Sequence, residues 1–491
     1  FEDTDADNLL RYVDMHFADG ASEAIRVENA RLTLEGGQWT DTDEHVLYVD
    51  HPRLLVTDSV FPPADGVEPI NGQSLEEGDF LVLRRNTFNA ASGYNDIIDF
   101  SDCKRPGPVL EVYDNLFLGG SDDGLDIDGC DAHVEGNTFI GFHKGHGGSS
   151  TSNAIATGFR FGRRTDLVVV RNVFVDNDHA ILLKEGTVLW ADQNVFYRST
   201  VAAVNFSEWP DRDVEPGSAA YFSGNIFSEN AAIFENRFSR PGYDDPTIEV
   251  HRSLLPASSH AFGEGNVDGE PLFANPPDDL TLVAGSPAIA TGPLGMDMGS
   301  HVPSGAWVAG PEDPVLDDGR LVLRIGGPGI AAYRYAVNDT SAAAWSAPID
   351  LATSDELVLD DLAPGSYTIY VQGQSHVGVW QSEPQYAIAG PYEVTGTTAA
   401  EPSTLPDADA ALEVFPNPVA GSATIRLGPA ISVGTVEIYD LLGRLVDRIA
   451  TGVGASTRDL HWDTRHLAPG VYVVSVTAGK QRTRRVVVRV E

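Results

Sequence analysis

S-D-D-G-L-D-I-D-G-C, Ser121 to Cys130, is the stretch from which the fold can be read. Side chains alternate along a strand, so Leu125 and Ile127 point inward and Asp126 and Asp128 outward, with Asp122 and Asp123 in the turn before them. Y-N-D-I-I-D-F-S-D-C (Tyr94 to Cys103) matches it position for position. Looser copies follow at Ser152 to Gly158, Asp178 to Glu185 and Val201 to Glu208. Aligned, they give an inward apolar column of Ile98, Leu125, Ile155, Ile181 and Val204, at intervals of 27, 30, 26 and 23 residues.

A second phrase interleaves with the first. N-x-F recurs at Asn86, Asn115, Asn137, Asn172, Asn194 and Asn225, spaced by 29, 22, 35, 22 and 31 residues. A floor near 22 with longer excursions is expected when each coil is one turn and insertions enter loops. Each Phe would stack inside, and each Asn would sit at a turn, able to bond its counterpart in the next coil. The runs between are short and β-rich, with no amphipathic helical pattern. The expectation is a right-handed parallel β-helix over residues 1–300. Its closing phrases, Gly265 to Phe273 and Ala284 to Gly292, resemble the terminal coil of bacterial right-handed β-helix proteins.

Beyond a Pro- and Gly-rich boundary, polarity alternates at sandwich spacing, so 315–392 reads as an immunoglobulin- or fibronectin-like β-sandwich. Residues 393–410 are rich in Thr, Ala, Pro and Asp and read as a linker. In 411–491, F-P-N-P (Phe415 to Pro418), V-E-I-Y-D-L-L-G-R-L-V (Val436 to Val446) and L-A-P-G-V-Y-V-V-S-V (Leu467 to Val476) occur in order at the chain end. This resembles the C-terminal sorting domain of type IX secretion cargo. The resemblance implies contact with that secretion machinery and export to the extracellular space or outer-membrane surface of a Bacteroidetes-type bacterium. The fold class is then all-β, a β-helix followed by two small sandwiches.

Composition narrows the function. The 491 residues carry 72 acidic and 32 basic side chains, a net charge of −40, and only four lysines. Such surfaces resemble those of proteins from high-salt settings, where screening suppresses self-repulsion. No basic face offers itself to nucleic acid, and no run approaches the ~18 apolar residues of a membrane span. The first residues, F-E-D-T-D-A-D-N, are acidic and polar rather than a signal peptide, which suggests a processed or truncated chain. Cys103 and Cys130 occupy equivalent positions in neighbouring copies; a disulfide fits an exported protein, and two buried thiols fit the pattern equally.

Stacking the copies gathers chemistry on one face. One outward row holds Asp99, Asp126, Ala156, Leu182 and Asn205; the next holds Ser101, Asp128, Gly158, Lys184 and Ser207. A turn row holds Asp96, Asp123, Asn153 and His179. The longest insertion brings His143, Lys144 and His146 alongside, and Arg160 leaves its far end. One reading has Asp99, Asp123, Asp126 and Asp128 bind Ca²⁺ against a uronate, with Lys184 as general base at a lowered pKa. This resembles the pectate lyases. His143, Lys144, His146, Arg160 and His179 would then contact an extracellular polysaccharide. A second reading makes Asp126 and Asp128, roughly 6.6 Å apart from the strand rise, an inverting glycosidase pair. S-D-D-G-L-D-I-D and G-H-G (Gly145 to Gly147) resemble polygalacturonase phrases, but G-H-G lies in an insertion and L-L-K-E replaces the expected R-I-K. A third reading is a non-catalytic surface or adhesion protein with the β-helix as a display stalk, its Asp and Asn residues capping turns.

Overall fold

A computed structural model describes residues 1–16, 22–145, 152–209, 214–238, 242–317, 319–382, 385–395, 412–415, 419–427, 435–440, 445–450, 459–468, 470–478 and 481–489. The chain is nearly all β, with long parallel sheets followed by small antiparallel ones. It divides into two compact units, 1–396 and 397–491.

In the first unit the repeats feed three parallel ladders. One ladder runs through His45–Asp50, Ile70–Leu75, Ile98–Cys103, Leu125–Asp128, Asn153–Arg160, His179–Leu183, Ala202–Asn205 and Phe234–Glu235. A second runs from Arg53–Thr57 to Thr247–His251, and the long strand Glu23–Glu35 pairs into both. A third joins short strands from Asp14–His16 to Ile226–Ser228. The register places Ile98, Leu125, Ile155, Ile181 and Val204 in a single column of rungs.

Two side-chain stacks run along the interior. Phe61, Phe88, Phe117, Phe139, Phe174, Phe196 and Phe227 lie ring on ring, centroids 4.5 to 5.2 Å apart. Beside them, the Asn of each N-x-F phrase sits, as expected, in the turn between a second-ladder and a third-ladder strand, and it is buried there. Its Oδ1 accepts the backbone N–H and the Nδ2–H of the Asn one rung earlier, at 2.8 to 3.1 Å. Ser253 Oγ takes the next place by accepting the Asn225 N–H, and Asn266 Oδ1 in turn accepts the Ser253 N–H. These bonds satisfy backbone groups that burial would otherwise orphan. Cys103 and Cys130, in adjoining rungs, are joined in a disulfide.

Val267 adds a last bridge to Leu254. The following chain then folds back, and Leu280, Ala288 and Met298 cluster with Val175, Val195, Tyr197 and Ile226 from the third ladder. Those ladder residues offer a second, outward apolar surface that needs a cover.

The sandwich of the first unit packs Trp307–Ala309, Leu321–Gly326 and Glu356–Leu359 against a five-stranded sheet that includes Ile330–Val337, Gly365–Ser375 and Ala387–Val394. Glu393 and Val394, expected in the linker, belong to that last strand; 396–411 lie outside the described residues. The sandwich is fastened to the second ladder. Gly329 N–H donates to Asp192 Oδ2 at 2.7 Å, and the Trp190 and His376 rings stack at 4.7 Å. The second unit holds two further antiparallel sheets around Trp462, Ile425, Ile438 and Val474.

Candidate functional site

The outward rows of the first ladder assemble in the expected order. Asp99 pairs with Asp126 and Ser101 with Asp128; on the next rung Ala156 and Gly158 face Asp126 and Asp128. Gly158 is the pivot. A Cβ there would collide with Asp128 Oδ1 and stand 2.9 Å from Lys184 Cε and 3.0 Å from Glu185 Oε2. The missing side chain lets groups from the rungs on either side converge over one backbone position. Glu185 is fixed separately, accepting the Phe159 N–H at 2.8 Å.

Lys184 Nζ lies 3.9 Å from Asp126 Oδ1 and 3.8 Å from Glu208 Oε2. Burial pushes the ammonium down, but Asp126, Asp128, Glu208 and Asp123 outweigh it and hold Lys184 well above its ordinary value. This reverses the lowered pKa expected of a general base: the neighbours of Lys184 are anions rather than cations. Asp128 is raised to about 7, chiefly by burial and then by Asp126, with Lys184 offsetting part of the shift. Asp99 is raised to about 6 by burial, Asp126 and Glu68, against Arg160 and Lys184. Asp128 Oδ1 has no hydrogen-bond partner among the described residues. A cleft of about 320 Å³ opens here, lined by Asp128, Lys184, Glu185 and Glu208 together with Phe159 and Trp209.

The other expected contacts disperse. Arg160 lies over the Phe161 ring at 5.2 Å and, with Asp99, lines a separate cleft of about 80 Å³. His143 Nδ1 bonds Asp178 Oδ1 at 2.9 Å, and the Lys144 backbone N–H donates to Asp178 Oδ2. His179 is buried, with Nε2 3.2 Å from Glu235 Oε2, so it faces structure rather than ligand. His146 lies outside the described residues.

Asp99, Asp126 and Asp128 do not close into a metal shell with Asp123. Among the described residues, the group with metal-sized spacing is Asp96, Asp122 and Asp123, whose ligand oxygens lie within 4.8 Å of one another. Asp123 Oδ1 already accepts the Asn153 N–H and Nδ2–H, and Asp96 Oδ1 accepts the Asp123 N–H. Burial, then the neighbouring carboxylates, raises both Asp96 and Asp123 well above the ordinary range. An all-carboxylate donor set suits a hard cation such as Ca²⁺, though three carboxylates fall short of its full oxygen shell without water. The signal in the sequence was the turn-row aspartate shared by both cysteine-ended copies, next to the doubled Asp122–Asp123.

Comparison with known proteins bears on the other end of the chain. Residues 413–489 match the family described as Secretion system C-terminal sorting domain. That tail marks an exported protein. It indicates the type IX route, contact with its machinery, and delivery to the cell surface or extracellular space. No helix among the described residues is long and apolar enough to cross a membrane. No curated protein matches the chain. Solved structures with local likeness include dimeric latent PorU from Porphyromonas gingivalis, 17% identical over 38% of this chain, with a TM-score of 0.16. A two-domain fibronectin type III segment of chicken tenascin is 14% identical over 38% of this chain and 99% of its own, with a TM-score of 0.15. The chain spans 20% of the PorU chain, and scores this low carry no argument.

Proposed function

We propose that this exported protein binds an extracellular polysaccharide along a right-handed parallel β-helix and hydrolyses it in the cleft between Asp128 and Trp209. The observation that carries the reading is Asp128, raised to about 7 two residues along the strand from Asp126, in a cleft flanked by aromatic side chains. A carboxyl held protonated near neutrality is a general acid. Asp128 would protonate the glycosidic oxygen as the C–O bond breaks. Asp126 would take a proton from the water that attacks the anomeric carbon, and their spacing of roughly 6.6 Å sits at the lower edge of inverting geometry. Lys184, kept charged, would orient and balance the carboxylates rather than abstract a proton. Phe159 and Trp209 suit the apolar faces of sugar rings. The acid-rich, lysine-poor composition supports a high-salt habitat.

Release of reducing ends from a panel of neutral and acidic polysaccharides tests this, with Asp128→Asn expected to abolish it. Product absorbing at the unsaturated-uronate band would instead favour the Ca²⁺-assisted lyase. No binding and no product would leave the display stalk. The carboxylate trio supports a second, separable reading, a Ca²⁺ site at Asp96, Asp122 and Asp123. Calorimetric Ca²⁺ titration with Asp122→Asn as the control decides it.

A further inference from the structure

A second cleft, of about 170 Å³, lies where the sandwich meets the second ladder, lined by residues that include Arg84, Tyr113, His133, Arg171, Trp380 and Gln385. Crevices between packed lobes are common ligand sites. Most charges here are spoken for. Glu135 accepts from His133 Nε2 at 2.8 Å, Arg171 Nε at 3.1 Å and Ser304 Oγ at 2.6 Å. Arg85 is held by both oxygens of Asp58.

Two groups are left over. Arg84, half-buried, lies 5.1 Å over the Tyr113 ring and has no carboxylate within ion-pair distance among the described residues; exposed Asp114 is the acid whose field it feels. His133, its side chain 8% exposed, spends Nε2 on Glu135, and its Nδ1 has no hydrogen-bond partner. A guanidinium without a counterion in a chain of net charge −40 is conspicuous, because acidic partners are abundant. Trp380, itself covered by Arg334 at 4.5 Å, adds a second aromatic wall, and Gln385 adds an amide. A bare inorganic anion would use the guanidinium but not the rings or the amide. A sugar ring bearing an acid group would use all of them.

We infer that this cleft binds a single saccharide unit carrying an oxyanion, a uronate carboxylate or a sulfate ester, with Arg84 as its ion partner. The inference stands apart from the chemistry proposed for the Asp128 cleft. Calorimetric titration of the full chain with galacturonate, galactose 6-sulfate, galactose and inorganic sulfate tests it and separates the two sources of the oxyanion. One of the acidic sugars should bind at least about tenfold tighter than galactose and than sulfate alone, the weight of one charge-assisted contact. Arg84→Gln should bring that affinity down to the galactose level without moving the melting temperature. Should Arg84→Gln lower the melting temperature, Ser382→Trp, which fills the cleft from its sandwich side, should abolish binding by itself. Equal affinity for galactose, preference for sulfate alone, an unaffected Ser382→Trp variant, or no heat with any of the four would overturn the inference.

Discussion

Lys184 sets its ammonium 3.9 Å from Asp126 Oδ1, although the register partner of Asp126 on the next rung is Ala156. The lysine therefore reaches back across an intervening rung. Ala156 and Gly158, the two outward residues of that rung, are small enough to let it pass. The register alone would not have paired the two residues.

Removing the ammonium should be costly. Lys184→Met leaves Asp126 and Glu208 in a half-buried cleft without the Lys184 ammonium. A loss of about 3 kcal/mol is expected from breaking such a pair at one end. Urea denaturation at pH 7.5 measures it, and a change under about 0.5 kcal/mol, the ordinary surface range, would mean the pair is solvent-screened.

The raised carboxyls make stability fall as pH rises. Asp128 at about 7 and Asp99 at about 6 bind their protons more tightly folded than unfolded. Their contribution is full below the unfolded pKa, near 4, and is lost as pH climbs through 6 and 7. Asp128→Asn should flatten the slope of unfolding free energy between pH 4.5 and 7.5 and stabilise the protein at the upper end. An unchanged slope would show that Asp128 titrates normally.

The buried Asn series predicts a polar cost in the interior. Asn137→Ala removes the oxygen that accepts both the Asn115 backbone N–H and its Nδ2–H. Two buried donors left unmet cost about 2–4 kcal/mol together. Thermal unfolding should drop by several degrees, and Asn137→Asp should not restore it, because its second carboxyl oxygen would face the acceptors Val112 O and Asn172 Oδ1 in a buried site.

The disulfide closes 27 residues between neighbouring rungs. Constraining a loop of that size in the unfolded chain is worth about 3.5 kcal/mol. The double variant Cys103→Ala/Cys130→Ala should lower the denaturation midpoint accordingly, and reduction of the wild-type chain should give the same midpoint.

The repeat was legible because period-2 alternation fixes which residues share a row, so Ile98 to Val204 and Asp99 to Leu182 fall where counting puts them. The electrostatics were not. A row assignment says that Lys184 shares a face with acids and an arginine, but whether its pKa rises or falls depends on which of them it touches. That is decided by side-chain reach and by Gly158. His179 misled for a related reason: its turn position hides a partner, Glu235, two rungs further on. Nothing in the apolar pattern of 267–298 distinguished a stacked rung from a cover over Val195 and Ile226, because both bury the same residues. The cleft at Arg84 depends on a sandwich whose docking no local pattern encodes.

The same pair of hydrogen bonds joins Asn172 to Asn194 across 22 residues and Asn137 to Asn172 across 35. The joint is thus indifferent to how much chain lies between joints. A stack of this kind can gain or lose a whole coil, cut between any two equivalent positions, and keep every asparagine paired. Length is then a freely inherited variable in this architecture, and the number of rungs can change without redesign of the interior.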